Sequence, residues 1–267
     1  LPGPPREMHP MLQNELLPRL MQKGQRLVSH ELHFYGIGES ELEYKLHDLM
    51  AESTNPTIAP YAGTGEVKLR VTASLPEGED AEALLQPAIK KILAAAGDYC
   101  YGIDVPDLQT AAVQALRKKG LTVASAESCT GGLVAARLTE VPGASAVFGC
   151  GIVSYNNTVK AEVLGVDPAI IEQYTAVSAE TAAAMAAAIR QKSGAAIGIG
   201  ITGNAGPSAS EGQPVGLVFV AVASEKYSHV SRLFIDRHDA DARNLIRHFA
   251  ALKALSLILR AAGYYKE

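Results

Sequence analysis

The chain has 267 residues, enough for one large domain or for a small and a medium domain with separate cores. Hydrophobic residues make up 48% and charged residues 19%, which excludes a largely disordered chain. The net charge of -4 argues against nucleic-acid binding, and no apolar run reaches the roughly 18 residues that span a membrane. The three cysteines form no CxxC pair, so we expect a soluble, cytoplasmic protein without a zinc site.

Residues 1–25 begin with a proline-rich stretch and continue with apolar residues at helical spacing. Leu12, Leu16 and Met21 belong to this pattern, which predicts one short amphipathic helix. The segment is too short to form a domain by itself.

Residues 26–102 have the pattern of a small two-layer α+β domain. An apolar stripe on one helix, Leu42, Leu46, Leu49 and Met50, requires a sheet to cover it. The predicted order is βαββα, with strands near 27–35, 57–59 and 67–71 and a second helix at 80–96. No GxxG flanked by basic residues occurs here, so RNA binding is not predicted.

Residues 103–107, with Pro106, predict a linker, and a second domain is expected at 108–267. Strands and helices alternate there, which indicates an α/β fold with a mainly parallel sheet flanked by helices. The expected strands are 121–124, 149–155, 196–202, 216–223 and 230–235, and the expected helices are 108–119, 131–138, 160–164, 178–192 and one from about Asp239 to the end.

Ser128 lies where the first of these strands ends and a helix begins. Backbone N–H groups at a helix start can stabilise an oxyanion, and Gly131 allows a ligand to approach the backbone. Ser128 or Thr130 could then act as a nucleophile. The alternative is that either residue only caps the helix.

A serine nucleophile requires a base, and Lys160 follows the second strand together with Tyr155 and Asn157. The C-terminal ends of parallel strands share one edge of the sheet, so Lys160 can meet Ser128 there. Burial could lower the lysine pKa from about 10.4 towards neutrality. The alternative is an ordinary surface lysine.

The histidines of the second domain are poorly placed to serve as that base. His229, His238 and His248 lie on a predicted hairpin and a terminal helix. A metal cluster of His238 with Asp239 and Asp241 is also disfavoured, because such groups at a helix start usually complement its dipole. We therefore expect no metal and no cofactor.

Thr202 ends the third strand at the same edge, and its hydroxyl could orient the base or the oxyanion. Gly198, Gly200 and Gly203 match GxGxxG, but no helix follows as a dinucleotide site requires. Tight packing and a turn explain these glycines instead.

Taken together, the three loops resemble the C-terminal domain of the CinA (competence/damage-inducible) family. The matching residues, in order and spacing, are 127–132, Tyr155, Asn157, Lys160, 176–178, 202–203 and 205–207. Residues 26–102 resemble the family's KH-type middle domain, and residues 1–25 resemble the tail of its N-terminal molybdopterin-binding-like domain, most of which we expect to be absent from this sequence.

The resemblance implies hydrolysis of nicotinamide mononucleotide (NMN) to nicotinate mononucleotide and ammonia. By motif, Ser128 would be the nucleophile, Lys160 the base, Tyr155 a proton relay or orienting hydroxyl, and Thr202 an oxyanion or positioning group. The nucleotide pocket would be lined by Thr130, Gly131, Asn157 and Gly206. Family members are commonly homodimers, which we expect here as well.

The chain departs from the family pattern in one loop. Relatives read TGIAGP followed by further glycines, whereas Asn204 and 208–210 (Ser-Ala-Ser) stand here. A catalytically weakened nucleotide-binding module, or a scaffold, is therefore the alternative to an amidase.

Overall fold

A computed structural model describes residues 3–20 and 25–264, which fall into two compact units, Leu1–Asp104 and Val105–Glu267. No helix in the described ranges is long and apolar enough to cross a bilayer.

In the first unit, three consecutive helical segments stand where one N-terminal helix was predicted. They are α1 (Pro5–Met11), a π-helix (Leu12–Leu16) and α2 (Leu17–Leu20). Met21, which belongs to the predicted helix, lies outside the described residues.

The rest of the first unit is a four-stranded antiparallel sheet with two helices. Buried residues of strands and helices form one core that includes Leu32, Phe34, Leu42 and Leu69. The sheet order is β2-β3-β1-β4. The elements are β1 (Gln25–Tyr35), α3 (Glu39–Glu52), β2 (Thr57–Ala62), β3 (Glu66–Pro76), α4 (Glu82–Ala96), a 3-10 turn (Gly97–Tyr99) and β4 (Cys100–Ile103).

Strand β4 corrects the predicted βαββα order and the start of the predicted linker. Ile103 pairs with Leu32 of β1, and the Asp104 N–H donates to the Glu31 carbonyl. The Asp104 carboxylate also accepts from the Glu31 N–H at 2.9 Å. Four residues are too few to give a clear alternating pattern, so only the pairing with β1 identifies this segment as a strand.

The second unit is a five-stranded sheet of order β6-β5-β7-β8-β9, flanked by helices, so the α/β fold class is confirmed. Four strands run in one direction and only β8 runs opposite. The elements are α5 (Leu108–Lys119), β5 (Val123–Glu127), α6 (Leu133–Glu140), a 3-10 turn (Ala144–Ala146), β6 (Phe148–Val153), a π-helix (Val159–Leu164), α7 (Pro168–Tyr174), α8 (Ala179–Ser193), β7 (Ile197–Gly203), β8 (Leu217–Ser224), β9 (Ser228–Phe234) and α9 (Ala242–Ala261).

Two helix starts differ from the sequence prediction. Helix α6 begins at Leu133 because Gly131 and Gly132 adopt positive φ angles of 61° and 91°, which no right-handed helix contains. Helix α9 begins at Ala242 rather than near Asp239. The Asp239 carboxylate accepts a hydrogen bond from the Asp241 N–H, which forms a turn before the helix. Helix α7 was absent from the prediction.

The glycines of β7 allow α8 to pack directly on the sheet. A Cβ atom on Gly198 would lie 2.1 Å from the Ala186 carbonyl oxygen, and one on Gly200 would lie 2.2 Å from that of Ala182. The GxGxxG match therefore reflects close packing of a helix against a strand.

Candidate active site

Strand register brings the three predicted loops to one edge of the sheet. Glu127, the last residue of β5, pairs with Val153 of β6 and with Ile201 of β7. The residues that follow these three are Ser128, Ser154 and Thr202, so they lie at the same level. The parallel arrangement thus places the candidate nucleophile between the two other loops.

Ser128 and Lys160 are within reach of each other. The distance from Lys160 Nζ to Ser128 Oγ is 3.5 Å, and Lys160 Nζ also donates to the Ser154 carbonyl at 3.1 Å. Lys160 is 1% exposed and Ser128 is 8% exposed. The π-helix Val159–Leu164 carries the lysine inward, and such widened turns are frequent at functional sites.

Burial lowers the pKa of Lys160 below the ordinary 10.5, because water no longer solvates the ammonium. The carboxylate of Glu211 partly opposes this effect and raises the pKa. Lys160 is therefore a buried amine that releases its proton more readily than a surface lysine. That property is what a general base beside a serine hydroxyl requires.

Cys129, next to Ser128, is unsuited to be the nucleophile. It is buried, and burial raises the pKa of its thiol to about 12. Since the thiolate is the reactive form, this cysteine stays inert at neutral pH.

Glu127 fixes the start of α6 beside the serine. Its carboxylate is buried and accepts hydrogen bonds from the backbone N–H groups of Val134 and Ala135 at 3.1 and 2.9 Å. A negative charge at this position also complements the helix dipole. The hydroxyls of Ser128 and Thr130 are therefore not needed to cap α6.

A cavity of about 460 Å³ opens over the pair. Lys160 and Arg243 supply its positive charge and Glu211 its negative charge. Arg243 donates to the Gly206 carbonyl and, at 3.1 Å, to the Tyr155 hydroxyl, so it joins two loops at the cavity wall. The other lining residues are Ser128, Cys129, Asn156, Asn157, Ala176, Val177, 202–205, Ser208 and Ser210.

Thr202 and Glu211 hold the backbone of Ala176 through its carbonyl and its N–H. The Thr202 hydroxyl donates to the Ala176 carbonyl at 2.6 Å, and Glu211 Oε2 accepts from the Ala176 N–H at 2.8 Å. Glu211 Oε1 accepts from Asn157 Nδ2 at 3.4 Å. Glu211 therefore ties the loop after β7 to two other parts of the cavity wall.

Asn204, the departure from the family pattern, orders that loop. Its side-chain amide donates to the carbonyls of Ser208 and Gln213 at 3.2 and 3.1 Å. Its Oδ1 accepts from the Gly206 N–H at 3.0 Å. The loop is thus held by the asparagine side chain itself.

Two predicted pocket residues do not line the cavity. Thr130 is fully buried, and its hydroxyl has no hydrogen-bond partner among the described residues. Gly131 lies near Arg247, whose Nη2 donates to the Thr130 carbonyl at 2.9 Å. Asn157, Gly206 and Tyr155 do line the cavity, although Tyr155 is 60% exposed and its hydroxyl accepts a hydrogen bond from Arg243 rather than contacting the reactive pair.

Sequence reasoning assigned no role to Glu211, Arg243 or Arg247. These residues come from an irregular loop and from the first two turns of α9, more than 50 residues beyond Lys160. No motif marks them, because only the folded loop and helix carry them to this edge. A charged residue inside a Gly/Ser loop was the one available signal for Glu211.

Comparison with known protein families gives a match in each of the two units. The profile of the CinA C-terminal domain matches residues 106–262, and that of the damage-inducible protein CinA KH domain matches residues 29–102. This chain belongs to the CinA family. The Ser128–Lys160 pair lies within the matched C-terminal domain.

Curated CinA relatives align with nearly the whole chain. It is 46% identical to a putative competence-damage inducible protein of Bacillus pumilus over 86% of the chain and 56% of that protein. It is 44% identical to one of Lysinibacillus sphaericus over 100% of the chain and 64% of that protein. The chain thus spans less than two thirds of the length of these relatives, and their names state no reaction.

Solved CinA structures align with a part of this chain that is about as long as the second unit. A competence/damage inducible protein from Agrobacterium tumefaciens is 34% identical, with a TM-score of 0.55, over 59% of this chain and 95% of that one. A CinA superfamily protein from Escherichia coli is 29% identical, with a TM-score of 0.54, over 58% of this chain and 89% of that one.

Proposed function

We propose that the second unit hydrolyses the carboxamide of NMN to nicotinate mononucleotide and ammonia. The observation that carries the proposal is the buried amine of Lys160, 3.5 Å from the hydroxyl of Ser128, at the base of a cavity. The membership in the CinA family and the lowered pKa of Lys160 support it. Serine and lysine can form a nucleophile–base pair without histidine.

In the proposed reaction, Ser128 Oγ attacks the carboxamide carbon and its proton passes to Lys160 Nζ. The tetrahedral intermediate then breaks its C–N bond, and Lys160 returns the proton to the leaving ammonia. A water molecule attacks the resulting ester, with Lys160 again taking a proton. That proton returns to Ser128 as nicotinate mononucleotide leaves, so the enzyme is regenerated.

The backbone near Ser128 suits the developing oxyanion. The Ser128 N–H is already bonded to the Ile201 carbonyl at 2.9 Å. Cys129 directly follows Ser128 and lines the cavity, so its backbone N–H lies beside the nucleophile. We assign this N–H to the oxyanion, in the position next to a nucleophile where other hydrolases place such a donor.

The cavity fits a mononucleotide in size and charge. Its volume of about 460 Å³ lies within the range typical of small-ligand sites. Arg243 is exposed at the cavity wall, and a guanidinium is well suited to bind a phosphate through two hydrogen bonds. We therefore assign the NMN phosphate to Arg243, with Asn157 on the opposite loop as a further contact.

The proposal is tested by measuring ammonia release when the purified chain is given NMN. We expect saturable release, and none from free nicotinamide, because that molecule lacks the phosphate for Arg243. Calorimetric binding of NMN without ammonia release would instead favour a nucleotide-binding module. Absence of both binding and release would contradict the proposal and favour a scaffold.

The pH profile should follow Lys160. Its neutral form is the base, so kcat/KM should rise with pH through an apparent pKa below the ordinary 10.5. The Glu211 carboxylate favours the protonated amine, so Glu211→Gln should shift this rise to lower pH. Glutamine retains an oxygen for the Ala176 N–H, which limits the structural change.

The control is Glu225→Gln, which removes an exposed carboxylate that does not line the catalytic cavity. Its pH profile should match that of the unmodified chain. A shift to higher pH in Glu211→Gln, or no shift at all, would show that Lys160 does not control the profile.

A further inference from the structure

A second cavity, of about 890 Å³, lies at the sheet edge opposite Ser128. It is lined by Ile197 at the start of β7, Ser224 at the end of β8 and Ser228 at the start of β9. Since Ser128 follows the other end of the sheet, this cavity is separate from the candidate active site. The proposed reaction uses none of its residues.

Positive charge dominates the lining of this cavity. Lys119, Arg190, Lys226 and Arg260 contribute four cations, against a single carboxylate from Glu225. Three of the cations lie in the last turns of α5, α8 and α9, where each complements a partial negative charge of roughly half an elementary unit. The helix dipoles therefore offset only part of the positive charge in the lining of this cavity.

Two residues that line this cavity each carry a buried polar atom without a hydrogen-bond partner among the described residues. These atoms are the Tyr227 hydroxyl and Nε of Arg260. Buried donors are nearly always satisfied in folded proteins, and an orphaned one costs stability. The atoms are therefore suited to a ligand that supplies acceptor oxygens.

Arg260 also forms no salt bridge with any residue that the structure describes. Burial is the main cause that lowers the pKa of Lys253 on the same helix, and the positive charge of Arg260 is the second cause. By contrast, Arg190 is fixed by donating from Nε to the Ala196 carbonyl at 3.0 Å. The cavity thus combines one anchored guanidinium with one that has an unused donor.

We propose that this cavity binds a small oxyanion, a metabolite bearing phosphate or carboxylate groups, through Arg260, Arg190 and Tyr227. The Arg260 Nε and the Tyr227 hydroxyl donate to its oxygens, and the guanidinium of Arg190 adds charge. This site is independent of the proposed amide hydrolysis, so either proposal can fail alone.

Calorimetric titration of the full chain with inorganic pyrophosphate, and separately with citrate, tests the proposal. All titrations use an Arg243→Gln background, so that an anion in the candidate active site does not contribute. We expect saturable binding of at least one anion, and the tighter one identifies phosphate or carboxylate as the preferred group. Failure of both anions to bind would overturn the proposal.

Tyr227→Phe gives the sharpest variant because it removes only the orphaned hydroxyl. We expect anion binding about tenfold weaker, as for loss of one hydrogen bond to a charged ligand. Without the anion, thermal stability should be unchanged or higher, because a buried hydroxyl without a partner has been removed. Unchanged anion affinity in Tyr227→Phe would overturn the assignment.

Two further variants separate the site from general charge effects. Arg260→Gln should weaken binding at least as much as Tyr227→Phe. Lys192→Gln removes an exposed cation from the last turn of α8 that lies outside the cavity, and should bind like the parent. Equal weakening by Lys192→Gln and Arg260→Gln would show non-specific attraction and overturn the proposal.

Discussion

Replacement of Ser128 by alanine should reduce ammonia release from NMN by about a thousandfold or more. The variant loses the only atom proposed to form the acyl bond, and a nucleophile acts as a unit with its base, so either loss removes most of the rate. The neighbouring Cys129 cannot substitute, because its pKa of about 12 keeps the thiol protonated. Single-turnover ammonia measurements at neutral pH would quantify the loss.

The Ser128→Ala variant should keep its fold and its affinity for NMN. The phosphate contact assigned to Arg243 is intact, so calorimetry should give a dissociation constant close to that of the unmodified chain. Ser193→Ala, an exposed serine at the end of α8, is the matched control and should retain full activity. Ammonia release at the normal rate by Ser128→Ala would remove this serine from the mechanism.

Lys160→Met should abolish activity to a similar extent while leaving the protein at least as stable. Methionine approximates the length of the lysine side chain without a proton-accepting amine. Burial disfavours the charged form of Lys160, so an apolar side chain there removes an unfavourable desolvation. The lost bond to the Ser154 carbonyl, at 3.1 Å, offsets part of this gain.

The two expectations for Lys160→Met are checked by separate measurements. Ammonia release reports catalysis, and the thermal unfolding midpoint reports stability. Lys192→Met, on an exposed lysine, should leave both unchanged. A Lys160→Met enzyme that retains more than about a tenth of the rate would contradict the role of base, since a positioned base contributes roughly a hundredfold or more.

The parts of the fold that local patterns specify were predictable. Alternation of strands and helices indicated a mainly parallel sheet, and Ser178, the first residue of the predicted helix 178–192, caps α8 by accepting from the Thr181 N–H at 3.1 Å. The edge strand β4 and the helix α7 were missed because four and seven residues carry too little periodicity. The start of α6 was misplaced because positive φ at two glycines is invisible in an apolar pattern.

The candidate site, like the fold, has residues that the sequence could place and residues that it could not. Residues at the end of a strand, such as Ser128 directly after β5 and Thr202 near the end of β7, could be placed at one edge because parallel strands share a direction. Glu211 and Arg243 could not, since they come from a loop without regular structure and from a helix distant in sequence. The interpretation of Tyr155 as a proton relay stays a prediction, and its observed partner is Arg243.

The sequence by itself determined the α/β class, the three strand-end loops and the likeness to the CinA family. These depend on local periodicity, on spacing and on residue type, all of which are properties of short segments. Only the tertiary structure decided that Lys160 is buried 3.5 Å from Ser128. The pKa of a lysine depends on the solvent and charges that surround it, and long-range packing alone determines those surroundings.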